Sequence, residues 1–493
     1  MFTKFREKYS WLDWPSWILW PLIFLLFLMI CWHRVDPDFG WHLMTGRDIL
    51  AHGIPQHDIF TYTAPDFQWI NVEWLNDVLF AKLYDAGGYA LLGVFCATIW
   101  TSSIAIISRI HPPFSGKKIA KNAEKSRRIA SPLLLAAAVL FAAYAGSRTQ
   151  IWMVSNLAVL YFILNSPKKI FRWVLPALFI VWAQLHGSWP AGIALIGWWA
   201  LFREKNLREK LILILIAALS FAVTLINPYG WNAYFVIIQT AFDHSLKSTI
   251  SEWMPLWVNI PKETAAFMVV ALLAALLFFV KKSHRNINVL RDPLWPFLIA
   301  SFFSTRYLPL FAMFSLGAID EIFRENISEI PRKISVLKKC ILAGCSFVFA
   351  MILSFSFYSS GFMISQPVNP EKAPLLKITD YFARNPCQGN IFNSYNFGGY
   401  FIWKMPEKKV FIDGRMPSWT TNGTLFGPTY MEEYNRVIND DAFREKTFAK
   451  YNITCVVIDK FARPDKPIIG KLRENPEWKT VFEEPGMIVF RKK

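Results

Sequence analysis

Residues 16–43 read SWILWPLIFLLFLMICWHRVDPDFGWHL, and this stretch decides the class of protein. Its apolar first part is about the length of a membrane span, and no small-residue cleavage site follows it. We therefore interpret it as a retained membrane helix. Pro37 ends the helical stretch between two carboxylates, Asp36 and Asp38, and His42 follows. Because a helix C-terminus favours cations, acids at this position oppose the helix dipole. The stretch predicts a membrane helix followed by a pair of acids at the membrane surface.

Composition also indicates a membrane protein. Of the 493 residues 54% are hydrophobic, with 22 Trp and 43 Phe, which soluble proteins of this size rarely carry. The net charge of +17 comes largely from Lys and Arg concentrated in alternate loops between the apolar segments, as in membrane proteins. No nucleic-acid partner is therefore predicted. We predict a mostly α polytopic membrane helix bundle in the lipid bilayer. Its transmembrane helices, about eleven in all, are predicted at 16–34, 88–110, 131–147, 149–165, 172–186, 189–203, 210–226, 263–281, 292–305, 307–323 and 339–359.

The distribution of Lys and Arg predicts the orientation of the chain. With a cytoplasmic N-terminus, 26 of the 53 Lys and Arg lie in cytoplasmic segments and 7 in exterior loops. The remainder lie in residues 360–493, which we call the tail. Cytoplasmic segments of membrane proteins carry this excess, so the split favours the assignment. An odd number of helices then places the tail outside a plasma (inner) membrane.

Two units are predicted along the chain. The first is a transmembrane domain of residues 1–359 with long exterior loops at 35–87 and 227–262. Within the first loop, residues 72–83 have the pattern of an amphipathic helix lying on the membrane. The tail is predicted to be a small extracytoplasmic α/β domain. Its predicted strands and helices are 390–393, 409–413, 455–459, 374–385 and 429–450.

Asp36 and Asp38 are the candidate catalytic residues, with His42 a candidate ligand beside them. An acid at this position could act as general base toward an acceptor hydroxyl. It could instead hold a divalent cation, Mg²⁺ or Mn²⁺, beside a phosphate. The residues also fit a turn of the Asx type that only terminates the helix. No cofactor is certain on this pattern.

Arg148 and Arg306 lie at the exterior ends of predicted helices, where cations are scarce in this chain. A cation at the membrane edge is costly unless it is paired. The phosphate of a lipid would supply a partner, and a guanidinium can bind it with two hydrogen bonds. The alternative is a salt bridge to an exterior acid such as Glu252.

Further exterior candidates are His186, Glu73 and Glu252. His186 closes a predicted helix in the motif Trp182-Ala-Gln-Leu-His186-Gly187, and it could bind a phosphate or sugar or have a structural role. Glu73 and Asp77 share one face of the 72–83 helix, which is also the pattern of its solvent-exposed side.

In the tail, Asp413 and Arg415 end the run Val410-Phe-Ile-Asp-Gly-Arg415, at a strand end of the kind where α/β domains display functional residues. They either bind substrate or pair with each other. Cys387 and Cys455 would pair in an oxidising compartment, and no cysteine has metal-site spacing. A Walker loop and a nucleophile elbow are absent, which argues against an ATP-driven pump and a serine hydrolase.

These features together resemble the GT-C superfamily of membrane glycosyltransferases, which includes oligosaccharyltransferases and protein mannosyltransferases. The stretch from Asp36 to Leu43 is similar to the Asp-Pro-aromatic-His stretch of archaeal oligosaccharyltransferases. A closer likeness is to bacterial membrane proteins that share four motifs: D-P-D-x-x-W-H-L, W-x-x-x-H-G, N-P-Y-G and V-F-I-D-G-R. All four occur here, at residues 36–43, 182–187, 227–230 and 410–415, so the resemblance covers most of the chain.

The resemblance implies a polyprenyl-phosphate-linked sugar as donor and a first-loop acid, Asp36 or Asp38, as the catalytic group. The acceptor would be a glycan, lipid or protein. The tail lacks the Trp-Trp-Asp-Tyr-Gly motif of oligosaccharyltransferases, which puts glycosylation of peptide sequons in doubt. Mannosyltransferases have adjacent acids in this loop, whereas Pro37 separates them here.

Three functional hypotheses follow. The leading one is inverting glycosyl transfer at the outer membrane face. The alternative is a non-catalytic scaffold or export component of surface-polysaccharide assembly, since a fold does not dictate an activity. The third, a lipid or ion transporter, usually requires broken helices and midplane charges, whereas the acids here gather in exterior loops. First-loop acids buried in a cavity beside Arg148 and Arg306 would favour the enzyme, and acids splayed on the surface would favour the scaffold.

Overall fold

The computed structural model describes residues 16–33, 36–108, 134–135, 138, 141, 144–243, 246–247, 250, 252–255, 258, 293–316, 374–424 and 427–493. The predicted helices 263–281 and 339–359 lie outside the described residues, as does most of 131–147.

Apolar helices make up the described part before the tail. They are α1 Ser16–His33, α2 Phe39–His52, α3 Trp74–Ile107, α4 Ile151–Asn165, α5 Leu175–Leu185, α6 Trp189–Trp198, α7 Leu207–Val223, α8 Asn232–Phe242 and α9 Leu294–Phe303. A 3₁₀ turn at Lys169–Val174 leads into α5, and a π turn at Trp199–Arg203 extends α6. Residues 308–316 are helical as well. The predicted helices that fall on described residues are confirmed as helices, with ends that shift by a few residues.

The surface of these helices fits a hydrocarbon surrounding. Leu211, Ile214, Leu215 and Leu219 of α7 are all exposed, as are several apolar side chains of α1. Contiguous apolar surface of this kind is rare on soluble monomers and marks contact with lipid or protein. Among the described residues, α3 is the helix whose length and composition suffice to cross a membrane. The number of eleven spans stays a prediction.

Helix α3 joins two elements that were predicted separately. Its first part is the predicted amphipathic helix of 72–83, and its second part is the predicted span of 88–110. The two parts meet at a kink, where Gly88 has a φ of 63° that other residues rarely adopt. The first part is packed rather than lying free, because Phe80 and Ala81 are buried. Its neighbour is α2, which the sequence did not predict.

Polar bonds hold the exterior ends of the bundle in register with the start of α3. The indole N–H of Trp74 donates to Oε1 of Gln184 in α5 at 2.8 Å. The indole N–H of Trp152 in α4 donates to Oδ1 of Asn76 at 2.8 Å. These bonds bring the start of α4, near Arg148, and the end of α5, near His186, against the first exterior loop.

The tail contains a four-stranded sheet with the order β1-β2-β4-β3. Its strands are β1 Asn390–Asn393, β2 Ile453–Asp459, β3 Trp478–Glu484 and β4 Met487–Lys492. Strands β1 and β2 are parallel, and the other two pairs are antiparallel. Its helices are α10 Pro374–Arg384, α11 Gly398–Lys404, α12 Tyr430–Asn439, α13 Asp441–Lys450 and α14 Lys466–Glu474. Cys387 and Cys455 form a disulfide, with a Cα–Cα distance of 6.2 Å.

Two predictions for the tail were wrong in part. Residues 409–413 are not a strand of this sheet; Val410 instead pairs with the first exterior loop. Its N–H donates to the carbonyl of Phe60 at 3.0 Å, and its carbonyl accepts from the N–H of Tyr62 at 3.2 Å. The predicted helix 429–450 is two helices, because Asp440 leaves the helical conformation and caps α13. Strands β3 and β4 were not predicted.

Candidate functional site

A cavity of about 500 Å³ opens where the first exterior loop, the exterior helix ends and the tail meet. Nine of the ten predicted site residues line it: Asp36, Asp38, His42, Glu73, Arg148, His186, Glu252, Arg306 and Arg415. The tenth, Asp413, contacts Arg415 behind the cavity wall. Apolar side chains of α8, including Val236 and Ile237, form part of another wall. The first-loop acids therefore lie in a cavity with both arginines.

Each carboxylate oxygen of Asp36 contacts a neighbouring group. Its Oδ2 lies 2.7 Å from Nε of Arg148, and its Oδ1 accepts the backbone N–H of Asp38 at 2.9 Å. The second bond is the Asx-type turn that the sequence left open, and it coexists with the cavity. Asp36 therefore holds an arginine and shapes the turn.

Asp38 is the acid whose environment suits proton transfer. It begins α2, is half-buried and faces the cavity. Burial, together with the nearby charge of Asp36, raises the pKa of Asp38 to about 7, although His42 opposes the shift. A carboxylate with a pKa near the working pH is suited to general acid–base chemistry.

The two arginines have different surroundings. Arg148 forms ion pairs with Asp36 and with Oε1 of Glu252, the latter at 2.7 Å, so the salt bridge considered from the sequence is present. Burial by itself raises the pKa of Glu252, but Arg148 and Arg306 lower it below its usual value. Arg306 lies over the ring of Trp253 at 4.7 Å. Within the described part of the chain, no carboxylate lies within ion-pair distance of the Arg306 guanidinium.

His42 is held by a buried carboxylate. Its Nδ1 lies 2.6 Å from Oδ1 of Asp77, and Oδ2 of Asp77 accepts from the Asn71 amide at 2.7 Å. Burial by itself lowers the pKa of His42, but Asp77 and Glu73 outweigh it and raise the pKa to about 9. His42 is therefore a cation at neutral pH. Asp77 is fully buried, so the interpretation of its helix face as solvent-exposed was wrong for this residue.

Glu73 lies between two histidines. Its carboxylate is 3.7 Å from Nε2 of His42 and 3.3 Å from Nε2 of His186. Nδ1 of His186 accepts the backbone N–H of Ser188 at 3.1 Å, so the neutral ring carries its proton on Nε2, toward Glu73. Burial raises the pKa of Glu73 to about 7, with His42 opposing the shift.

Arg415 and Asp413 pair with each other, one of the two alternatives left by the sequence. Nε and Nη2 of Arg415 donate to the two carboxylate oxygens of Asp413 at 2.8 and 2.7 Å. Nη1 lies 2.8 Å from Oδ1 of Asp58, which the sequence analysis missed. The guanidinium also lies over the ring of Trp69 at 4.5 Å. No sequence signal singles out Asp58, because its partner is more than 350 positions away.

The described residues around the cavity do not form a recognisable metal site. Among the described residues, no group of three His, Cys, Asp or Glu side chains has an arrangement suited to a metal ion. Asp36 and Glu252 are held by Arg148, and Asp77 is held by His42. We therefore derive no step through a Mg²⁺ or Mn²⁺ ion.

Comparison with solved structures finds chains of similar fold, among them an oligosaccharyltransferase and an arabinofuranosyltransferase. One is the Archaeoglobus fulgidus oligosaccharyltransferase in its apo form, with 13% identity, a TM-score of 0.47 and coverage of 97% of this chain and 75% of that chain. Another is the arabinofuranosyltransferase AftD from Mycobacteria, with 11% identity, a TM-score of 0.49 and coverage of 98% of this chain and 40% of that chain. No family model matches the sequence, and no curated protein does. At these identities the likeness is one of fold alone.

Proposed function

We propose that this protein is a membrane glycosyltransferase that moves a sugar from a polyprenyl-phosphate-linked donor to an acceptor at the outer face of the membrane. The observation that carries the proposal is the convergence of Asp38, an acid with a pKa near 7, and Arg306 in one cavity. A transfer reaction needs both a base for the acceptor and a cation for the departing phosphate.

Asp38 acts as the general base in this proposal. It takes the proton of an acceptor hydroxyl, whose oxygen attacks the anomeric carbon of the donor sugar. The bond from that carbon to the phosphate oxygen breaks, and the phosphate leaves with the electron pair and with inversion at carbon. Asp36 is the weaker candidate because Arg148 and the Asp38 N–H occupy its oxygens.

Arg306 stabilises the charge that develops on the departing phosphate. Its guanidinium lies over the ring of Trp253, and among the described residues no carboxylate is within ion-pair distance of it, although its charge acts on Glu252. Arg148 contributes less directly, since two acids already neutralise it. The apolar residues of α8 in the same cavity suit the lipid part of such a donor.

The distribution of charge and the disulfide support the proposed orientation of the chain in the membrane. The excess of Lys and Arg in alternate loops supports an inner membrane protein with a cytoplasmic N-terminus. The disulfide of Cys387 and Cys455 suits an oxidising compartment and therefore an extracytoplasmic tail. The acceptor is a glycan, a lipid or a protein.

The non-catalytic scaffold is the competing hypothesis. A scaffold has no need to bury an acid of raised pKa beside arginines, which is costly without a ligand or a reaction. The enclosed arrangement of the first-loop acids therefore favours transfer over a scaffold role.

The test is binding and transfer with purified protein in lipid nanodiscs and a panel of polyprenyl-phosphate sugars. Arg306→Met should weaken donor binding at least tenfold. The matched control is Arg203→Met, because Arg203 also lies over a tryptophan, Trp199, at 5.0 Å but does not line the cavity. Asp38→Asn should retain donor binding and lose transfer by roughly 10²–10⁴-fold. If the wild-type protein binds no lipid-linked sugar, the scaffold becomes the better hypothesis.

A further inference from the structure

The tail contacts the start of the first exterior loop through glycine backbone at several points. A methyl group added at Gly40 would overlap the carbonyl oxygen of Gly399, and one added at Gly399 would overlap that of Pro37. A methyl group added at Gly414 would overlap Oδ1 of Asp38 and lie 2.5 Å from its carboxyl carbon. The carboxylate of Asp38 therefore rests directly on the bare backbone of the tail.

The turn that carries Gly414 is anchored to the first exterior loop. Its next residue, Arg415, is hydrogen-bonded to Asp413 within the turn and forms an ion pair with Asp58 in the loop. The side chain of Arg415 is 1% exposed and that of Asp58 is fully buried. Because breaking a buried ion pair is strongly unfavourable, this pair fixes the turn against the loop.

We propose that the turn of residues 413–415 is a positioning element for Asp38. The backbone of Gly414 forms the surface that contacts the carboxylate, which we call the seat, and Arg415 fixes this surface against the first exterior loop. The inference rests on the proposed function in treating Asp38 as the base. It assigns the tail a role in the reaction centre itself, and it makes Arg415 a positioning residue rather than a substrate ligand.

A glycine is required at the seat because any side chain would occupy the volume of the carboxylate. In Gly414→Ala the carboxylate must move by the width of a methyl group or the tail must shift. A displacement of about 1 Å at a catalytic group can cost roughly 10²-fold in rate, while donor binding on the bundle side of the cavity stays unchanged. The expected signature is a fall in kcat at constant donor affinity.

A double-mutant cycle in nanodiscs tests the contact without relying on transfer. Thermal unfolding is followed by tryptophan fluorescence for wild type, Gly414→Ala, Asp38→Ala and the double variant. Gly414→Ala should lower Tm by roughly 5 °C in the wild-type background, as expected for overpacking. In the Asp38→Ala background the same substitution should cost less than half as much, because the overlapping carboxylate is gone. Gly470→Ala is the matched control, since a methyl group there meets nothing within 4 Å.

Each outcome bears on the inference. An equal loss of Tm in both backgrounds would overturn it, because Gly414 would then be needed for another reason. If Gly414→Ala does not fold, recovery in the double variant supports the contact and continued failure overturns it. If wild type shows no transfer at all, the proposed function fails while the cycle still reports on the seat. Where transfer is measured, an unchanged kcat in Gly414→Ala would also overturn the inference.

Discussion

Replacing Asp38 by Asn is expected to stabilise the protein above pH 7 while slowing transfer by roughly 10²–10⁴-fold. The pKa of Asp38 is about 7 in the folded protein against an ordinary value of 3.8, chiefly because the group is buried. Its protonated form is therefore favoured in the folded state. As pH rises from 3.8 to 7, the folded protein loses stability relative to the unfolded chain, which ionises more readily. A pKa shift of about three units corresponds to a loss of at most about 4 kcal/mol in the free energy of unfolding, since each unit is worth about 1.36 kcal/mol.

The assay is Tm as a function of pH between 4 and 8 for the protein in nanodiscs. Asp38→Asn should nearly match wild type at pH 4, where Asp38 is protonated in the folded protein and only about half ionised in the unfolded chain. The variant should exceed wild type by on the order of 5 °C at pH 8, where wild type carries the buried charge. Asp66→Asn, which removes an exposed acid of the same loop, is the control for losing a carboxylate that is not buried. A constant difference for Asp38→Asn, or a less stable variant at pH 8, would refute the assigned pKa and weaken the case for Asp38 as base.

Three further outcomes are expected. Asp77→Asn should lower the pKa of His42 from about 9, so the variant should be less stable than wild type, most of all below pH 6.5. The difference in stability should close above pH 9, where His42 is neutral in both proteins. A difference in Tm that does not depend on pH would contradict this. Arg148→Ala should destabilise the protein by roughly 3–5 kcal/mol, because it leaves two acids without their partner, and denaturant unfolding with Arg148→Lys for comparison measures the loss. Removing the disulfide in Cys387→Ser/Cys455→Ser should cost roughly 2–5 kcal/mol. Reductant should lower the Tm of wild type but not that of this double variant, and equal effects on both would argue against the bond.

The helices of the bundle were predictable because local composition determines them. Helices α1, α4 and α7 lie within a few residues of the predicted spans, since an apolar run of membrane length has little choice but to form a helix. The helix α2 was missed, because its sequence from Phe39 to His52 mixes polar and apolar residues that pack on α3 and on the tail. The run 409–413 has strand composition, but its partner is the first loop rather than the sheet.

The candidate site was predictable to a similar degree and for a related reason. Charges predicted at the exterior helix ends are expected in one layer of a membrane protein and therefore at about the same height. Eight of the nine predicted residues that line the cavity lie before the tail, which fits that expectation. Their individual roles were not predictable, because Asp36 and Asp38 are two positions apart and differ only in what surrounds them.

The sequence by itself determined that the chain forms apolar helices, which charged residues flank them, and that an acidic turn follows the first helix. Each of these depends on residues close together in the chain. Only the tertiary structure decided that Arg148 is neutralised, that Arg306 lines the cavity with no carboxylate within ion-pair distance among the described residues, and that Asp38 rests on Gly414. The contacts of Arg148 and Asp38 join residues that lie more than 100 positions apart. Burial and charge pairing set the pKa of an acid, and both are properties of the assembled neighbours rather than of the local sequence.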